Sequence, residues 1–131
     1  MRQLIYLYWI WFLGNIEFIK NGACPTFIKT KKKVEIIKAD TLPAGILDRI
    51  EMVVYDKDLS GSEIIVMCSD GVIESNSEYT NKELWVKDLL ENIKTEDVQQ
   101  IADILVTESI DNGLGLARDD MTVLVAKIEK I

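Results

Sequence analysis

Short apolar runs separated by polar turns fill the first half of the chain, and helical spacing begins only near Thr80. Leu4–Leu13 reads LIYLYWIWFL, ten apolar residues in succession. That is half of the ~20 a membrane-spanning helix needs. Its Ile, Tyr, Trp and Phe content predicts a strand covered on both faces. An anchor or signal remnant and a segment parted from its natural partner are the alternatives. After Gly14-Asn15, a turn signal, Ile16–Lys20 alternates apolar with charged positions, and Asn21-Gly22 marks a second turn. Thr26–Lys29 and Val34–Lys38 read as two short strands joined by Thr30-Lys31-Lys32-Lys33. The lysine run can be an anion patch, but at a hairpin tip it reads first as a solvated turn that protects a sheet edge. Pro43 and Gly45 punctuate Leu42–Leu47. Ile50–Tyr55 is a further strand candidate, ended by Lys57–Ser62. Glu63–Cys68, EIIVMC, is a short apolar run between turns, the pattern of a central strand covered on both faces, and it stops at Ser69-Asp70-Gly71.

Two helices follow. Thr80-Asn81-Lys82-Glu83 fits a capping box, with Tyr79 and Leu84 as its hydrophobic staple. Val86, Leu89, Leu90 and Ile93 then keep helical spacing. The second helix is predicted from about Thr95 to Ile110, with Glu96 and Asp97 in its first turn and Val98, Ile101, Ala102 and Leu105 as its buried stripe. Asp111–Arg118 is a glycine-containing loop. Met121–Ile128 closes the chain as a strand, with Thr122, Leu124 and Ala126 on one face and Val123, Val125 and Lys127 on the other. No linker or repeat divides residues 1–131, so one domain is expected. Strands, then helices, then a strand predict an α+β fold with largely antiparallel sheets flanked by helices.

Composition narrows the chemistry. With 22 acidic against 15 basic residues, the net charge of −7 argues against a nucleic-acid partner. The absence of histidine excludes Ser-His-Asp and Cys-His catalysis and any histidine-bound zinc. Cys24 and Cys68 cannot form a four-ligand zinc site, do not read as a secreted disulfide framework, and neither is followed six positions on by arginine. The chain therefore reads as cytoplasmic with no membrane segment of its own, compatible with a tether in a longer parent. Carboxylates, hydroxyls and a bound hard cation are what remain for catalysis.

Two acidic positions stand out. Asp70 directly follows the predicted central strand, and Asp119 and Asp120 directly precede the last one. If these strands are antiparallel neighbours, Asp70 and Asp119 meet at one rim of the sheet. Two carboxylates so close repel, and one must protonate or a cation must bind. With only oxygen ligands that cation is Mg²⁺ or Mn²⁺, and Gly71 lets the backbone approach closely there. The alternative is that both are ordinary acidic turns. Ser69 has no adjoining base to make it a nucleophile, and Cys68 reads as a small core residue.

Ile65–Val72 (IVMCSDGV), followed about fifty residues later by Arg118–Val125 (RDDMTVLV), resembles the C-terminal half of the PPM (PP2C-type) serine/threonine phosphatases. Asn21–Ile28 (NGACPTFI) and Leu42–Leu47 (LPAGIL) match the sporulation stage II protein E branch in order and spacing, so the resemblance covers about residues 15–128. It implies part of an α-β-β-α sandwich with a two-ion Mn²⁺ or Mg²⁺ centre at one end, where metal-bound water attacks phosphoserine or phosphothreonine. Carried onto this chain, it makes Asp70 and Asp119 metal ligands and gives Gly71 and Asp120 supporting roles. In that branch the substrate is a phosphorylated anti-anti-sigma factor. The family's other metal motif, a D-G-M-G-type turn with the bridging aspartate, is missing from this sequence, and Tyr8–Leu13 departs from the family pattern. The expectation is accordingly a fragment or truncated product of a phosphatase domain, weak or inactive alone, whose exposed edges promote self-association through Leu4–Leu13. A phosphatase-like interaction module without metal and an unrelated α+β binding domain are the competing readings.

Overall fold

The computed structural model describes residues 4–9, 15–21, 23–39, 53–115 and 119–129. The strands are β1 (Leu4–Trp9), β2 (Asn15–Asn21), β3 (Thr26–Lys29), β4 (Val34–Ile37), β5 (Val53–Asp58), β6 (Ile64–Cys68) and β7 (Val123–Lys127). The helices are α1 (Asp70–Ile73), α2 (Glu83–Asn92) and α3 (Val98–Asn112). One sheet has the order β1-β2-β5 and the other β4-β3-β6-β7, with every pairing antiparallel. The expected α+β class with antiparallel sheets holds.

The continuous apolar run of β6 has a direct cause, since this strand is covered on both faces. Ile64, Val66 and Cys68 point to one side, where they join Phe27, Val34, Val72, Trp85, Leu90, Ile101 and Leu105 in a core between sheet and helices. Ile65 points to the other side and packs with Ile16, Phe18, Ile28, Ile37 and Ile128 between the two sheets. Period-2 alternation thus feeds two cores from one strand. On β7, Val123 and Val125 pack against the helix-side core while Leu124 is 53% exposed, which matches the predicted division of its faces.

Several boundaries move. The capping box at Thr80 does not form. Lys82 takes the N-cap position in helical geometry with no side-chain cap, because the chain is already winding there: the Leu84 N–H donates to the Asn81 carbonyl at 3.1 Å. Glu83 instead accepts from Lys38 at 2.9 Å. The helix expected from Thr95 starts at Val98, because the Asp97 carboxylate accepts the Gln100 N–H at 2.9 Å and caps it. The buried stripe shifts accordingly to Ile101, Leu105 and Ser109, leaving Val98 exposed. β5, Val53–Asp58, runs on past Tyr55, and residues 50–52 lie outside the described residues. The Ser69-Asp70-Gly71 turn leads into the one-turn helix α1, too short for periodicity to reveal. Ile10–Gly14, Gly22, Leu42–Leu47 and Leu116–Arg118 lie outside the described residues. Among the described residues no helix is long and apolar enough to cross a membrane.

Candidate metal centre

The site is built where β6 ends and β7 begins. These strands are antiparallel neighbours with Cys68 opposite Val123, the arrangement expected from the sequence. Ser69 extends the ladder by one rung: its N–H donates to the Thr122 carbonyl at 2.9 Å. Its hydroxyl donates to the Asp120 carbonyl at 3.1 Å and accepts the Thr122 N–H at 2.9 Å. Ser69 is therefore a clamp between the two acid-bearing segments rather than a nucleophile. Sequence reasoning missed this role because its partners lie more than fifty residues away.

Beyond the clamp the chain turns into α1. The Ser69 carbonyl accepts from Val72 and Ile73 N–H groups, at 3.1 and 3.2 Å, and the Asp70 carbonyl accepts from Glu74 at 2.8 Å. Buried Trp85 on α2 donates its indole N–H to the Ile73 carbonyl at 2.8 Å, tying the end of this turn to the core. Gly71 is buried against the opposite segment. A Cβ placed there would sit 2.3 Å from the Asp120 carbonyl oxygen and 3.2 Å from Asp119 Cβ. Only glycine permits that approach, and it sets the root of the Asp119 side chain against the residue next to Asp70.

Asp70, Asp119 and Asp120 are all exposed. Asp70 Oδ1 accepts its neighbour Gly71 N–H at 2.9 Å, and Asp119 Oδ1 accepts the Asp120 N–H at 2.8 Å. Each carboxylate thus has one oxygen oriented by the backbone and its other oxygen with no protein donor among the described residues. Asp120 acts through its main chain, as Ser69's acceptor and Gly71's wall. A concavity of about 600 Å³ opens beside Gly71 and Asp119 and is lined further by Glu74, Glu78, Asp111 and Met121. Asp70 is not part of that lining.

The donor set is one of hard carboxylate oxygens, suited in kind to Mg²⁺ or Mn²⁺. Among the described residues no group of three acidic or thiol side chains gathers to hold a metal ion. Asp70 and Asp119 can each supply a ligand oxygen of the right kind, and the described residues supply no complete ligand set.

A contrasting acid lies at the opposite end of β6. Glu63 is buried. Its Oε1 accepts the Ser60 N–H and hydroxyl, both at 2.7 Å, and its Oε2 accepts the N–H groups of Gly61 and Ser62 at 2.9 and 3.1 Å. Burial alone would raise its pKa, but the Ser60 and Gly61 hydrogen bonds outweigh burial and pull it down to about 2.

The family model "Stage II sporulation protein E (SpoIIE)" matches residues 4–129. Over 116 residues, 88% of this chain, the sequence is 40% identical to Stage II sporulation protein E of Priestia megaterium and 37% identical to that of Bacillus subtilis strain 168. The chain spans only 20% and 14% of the length of those curated relatives. The fold superposes on the phosphatase domain of the cell fate determinant SpoIIE from Bacillus subtilis, presoaked with manganese, with a TM-score of 0.83 and 31% identity. That match covers 97% of this chain and 56% of that one.

Proposed function

The chain belongs to the stage II sporulation protein E family, and from that premise we propose that it forms the C-terminal part of a metal-dependent protein serine/threonine phosphatase domain. The observation that carries this reading is the junction of Ser69-Asp70-Gly71 with Asp119-Asp120. There a glycine-only contact and a serine clamp hold two exposed carboxylates at one rim of the sheet. Asp70 and Asp119 are the proposed ligands for Mn²⁺ or Mg²⁺. Gly71 sets the approach of their two segments, and Asp120 supports it through its carbonyl. When bound, such an ion neutralises phosphate charge and lowers the pKa of a coordinated water. The chain's own part is to orient the carboxylates: backbone N–H groups fix one oxygen of each, and Trp85 ties the end of α1 to the core.

The proposed substrate is a phosphorylated regulatory protein of the anti-anti-sigma type, and the proposed setting is sporulation or sigma-factor control. Two carboxylates leave most of an octahedral coordination shell to water, so the 131-residue chain is weak or inactive by itself. The test is Mn²⁺-dependent hydrolysis of p-nitrophenyl phosphate. Background turnover is expected from this chain, and full turnover from a protein that also carries a D-G-x-G-type motif, lost on Asp119→Asn. Strong turnover by the 131-residue chain, abolished by Asp70→Asn, would refute the incomplete-site reading. A second reading, an interaction module that uses no metal, is favoured by the lack of a third acidic ligand among the described residues. It predicts no Mn²⁺ binding in any protein that contains this segment.

A further inference from the structure

The lysine run does more than protect a sheet edge. Lys29–Lys33 close the β3–β4 hairpin, and Lys94 lies just beyond the C-terminus of α2, an element with no sheet edge to guard. The two groups converge on one concavity of about 510 Å³, with Ser62 and Thr95 in its wall. It therefore collects five lysines on a chain of net charge −7, and its carboxylates are Glu91 and Glu96. Both glutamates are shared with lysines outside the cavity, Glu91 lying 3.7 Å from Lys87 and Glu96 3.1 Å from Lys127, while within it Glu91 offsets part of the Lys29 charge and Glu96 part of the Lys31 charge. Among the described residues, Lys31, Lys32 and Lys94 have no carboxylate within ion-pair distance. Lys29 donates to the Leu90 carbonyl at 2.5 Å. Burial first, and then the neighbouring Lys94 charge, lower its pKa.

The hairpin tip is also held in shape. Thr30 Oγ1 accepts the N–H groups of Lys32 and Lys33, at 3.3 and 3.2 Å, and donates to the Lys33 carbonyl. A fixed basic loop opposite an unneutralised lysine is an electrostatic trap for carboxylates. Lysines act as flexible point charges and suit a run of acidic side chains better than a single planar group.

We infer that this cavity, at the far end of β6 from Asp70, docks an acidic segment of the protein partner whose phosphate is presented at the aspartate rim. Six residue steps run from Ile64 in the cavity wall to Asp70, roughly 20 Å at ~3.3 Å per residue. A partner can therefore occupy both ends with neighbouring surface elements. The partner's role rests on the phosphatase reading, whereas the binding test needs neither metal nor turnover and so fails independently of it.

The test is fluorescence anisotropy of a fluorescein-labelled hexaglutamate peptide with the 131-residue chain. Binding is expected at low salt, weakened at about 0.3 M salt. It is expected to weaken about tenfold or more in Lys31→Gln/Lys32→Gln/Lys94→Gln. The charge-matched Lys38→Gln/Lys57→Gln/Lys82→Gln variant, altered at residues that neither line the cavity nor pair with Glu91 or Glu96, should retain binding. Circular dichroism confirms folding, and Lys32→Gln at the exposed tip, with a smaller loss, serves if the triple variant unfolds. No binding, or equal loss in both triple variants, overturns the inference. So does cosedimentation with phosphatidylglycerol vesicles, lost in the cavity variant, without peptide binding, since that would make the site a lipid contact.

Discussion

The two ends of β6 handle carboxylates in opposite ways. At its start Glu63 is buried, with both oxygens saturated by four hydrogen bonds from Ser60, Gly61 and Ser62. At its finish Asp70 and its neighbour Asp119 are exposed, each with one oxygen held by a local N–H and the other open. A saturated carboxylate is a structural pin, because a cation would have to displace every donor. A carboxylate that is half held and half open is oriented yet available. Hydrogen-bond saturation, rather than acidity or position beside a strand, separates the structural acid from the candidate ligands.

The sharpest way to break the contrast is to exchange carboxylate for amide at each end. In an active protein carrying this segment, Asp70→Asn or Asp119→Asn should cut Mn²⁺-dependent turnover on the order of 10³-fold or more, with little change in the denaturation midpoint. Glu63→Gln should do the reverse, keeping metal affinity while stability falls by roughly 3 kcal/mol at neutral pH. Its folded pKa near 2 lies below the ordinary 4.5. The contribution is therefore complete above about 4.5 and disappears as pH falls towards 2. Urea titrations across that window should show the slope in the parent chain and a flattened one in Glu63→Gln.

Smaller changes sharpen the aspartate end alone. Gly71→Ala forces a Cβ to within 2.3 Å of a backbone oxygen. It should destabilise the fold by about 1–3 kcal/mol and weaken Mn²⁺ binding, as read by calorimetry. Ser69→Ala removes the hydroxyl that bridges Asp120 and Thr122. A loss of about 1 kcal/mol in urea denaturation is expected.

Legibility in the sequence followed the range of the interaction. β6 could be read from EIIVMC because a strand feeding two cores must be apolar at consecutive positions. The placement of Asp70 and Asp119 at one end of a strand pair could be anticipated because both flank β6 and β7, which pair antiparallel. The start of α3 was misplaced because Thr95, Glu96 and Asp97 are all credible first-turn or cap residues, and the Asp97–Gln100 bond decides between them. Thr80 failed as a cap because the chain winds before Glu83. The Ser69 clamp, the Gly71 contact and the convergence of Lys94 on the lysine hairpin all join residues distant in sequence, so no local pattern announces them.

The shared-cation claim is tested most directly by titrating Mn²⁺ into the 131-residue chain and following free Mn²⁺ by electron paramagnetic resonance. Millimolar or tighter binding is expected, disappearing in Asp70→Asn and in Asp119→Asn and persisting in Glu63→Gln. Binding that survives either aspartate change, or that is lost with Glu63→Gln while the fold stays intact, would contradict the shared-cation claim.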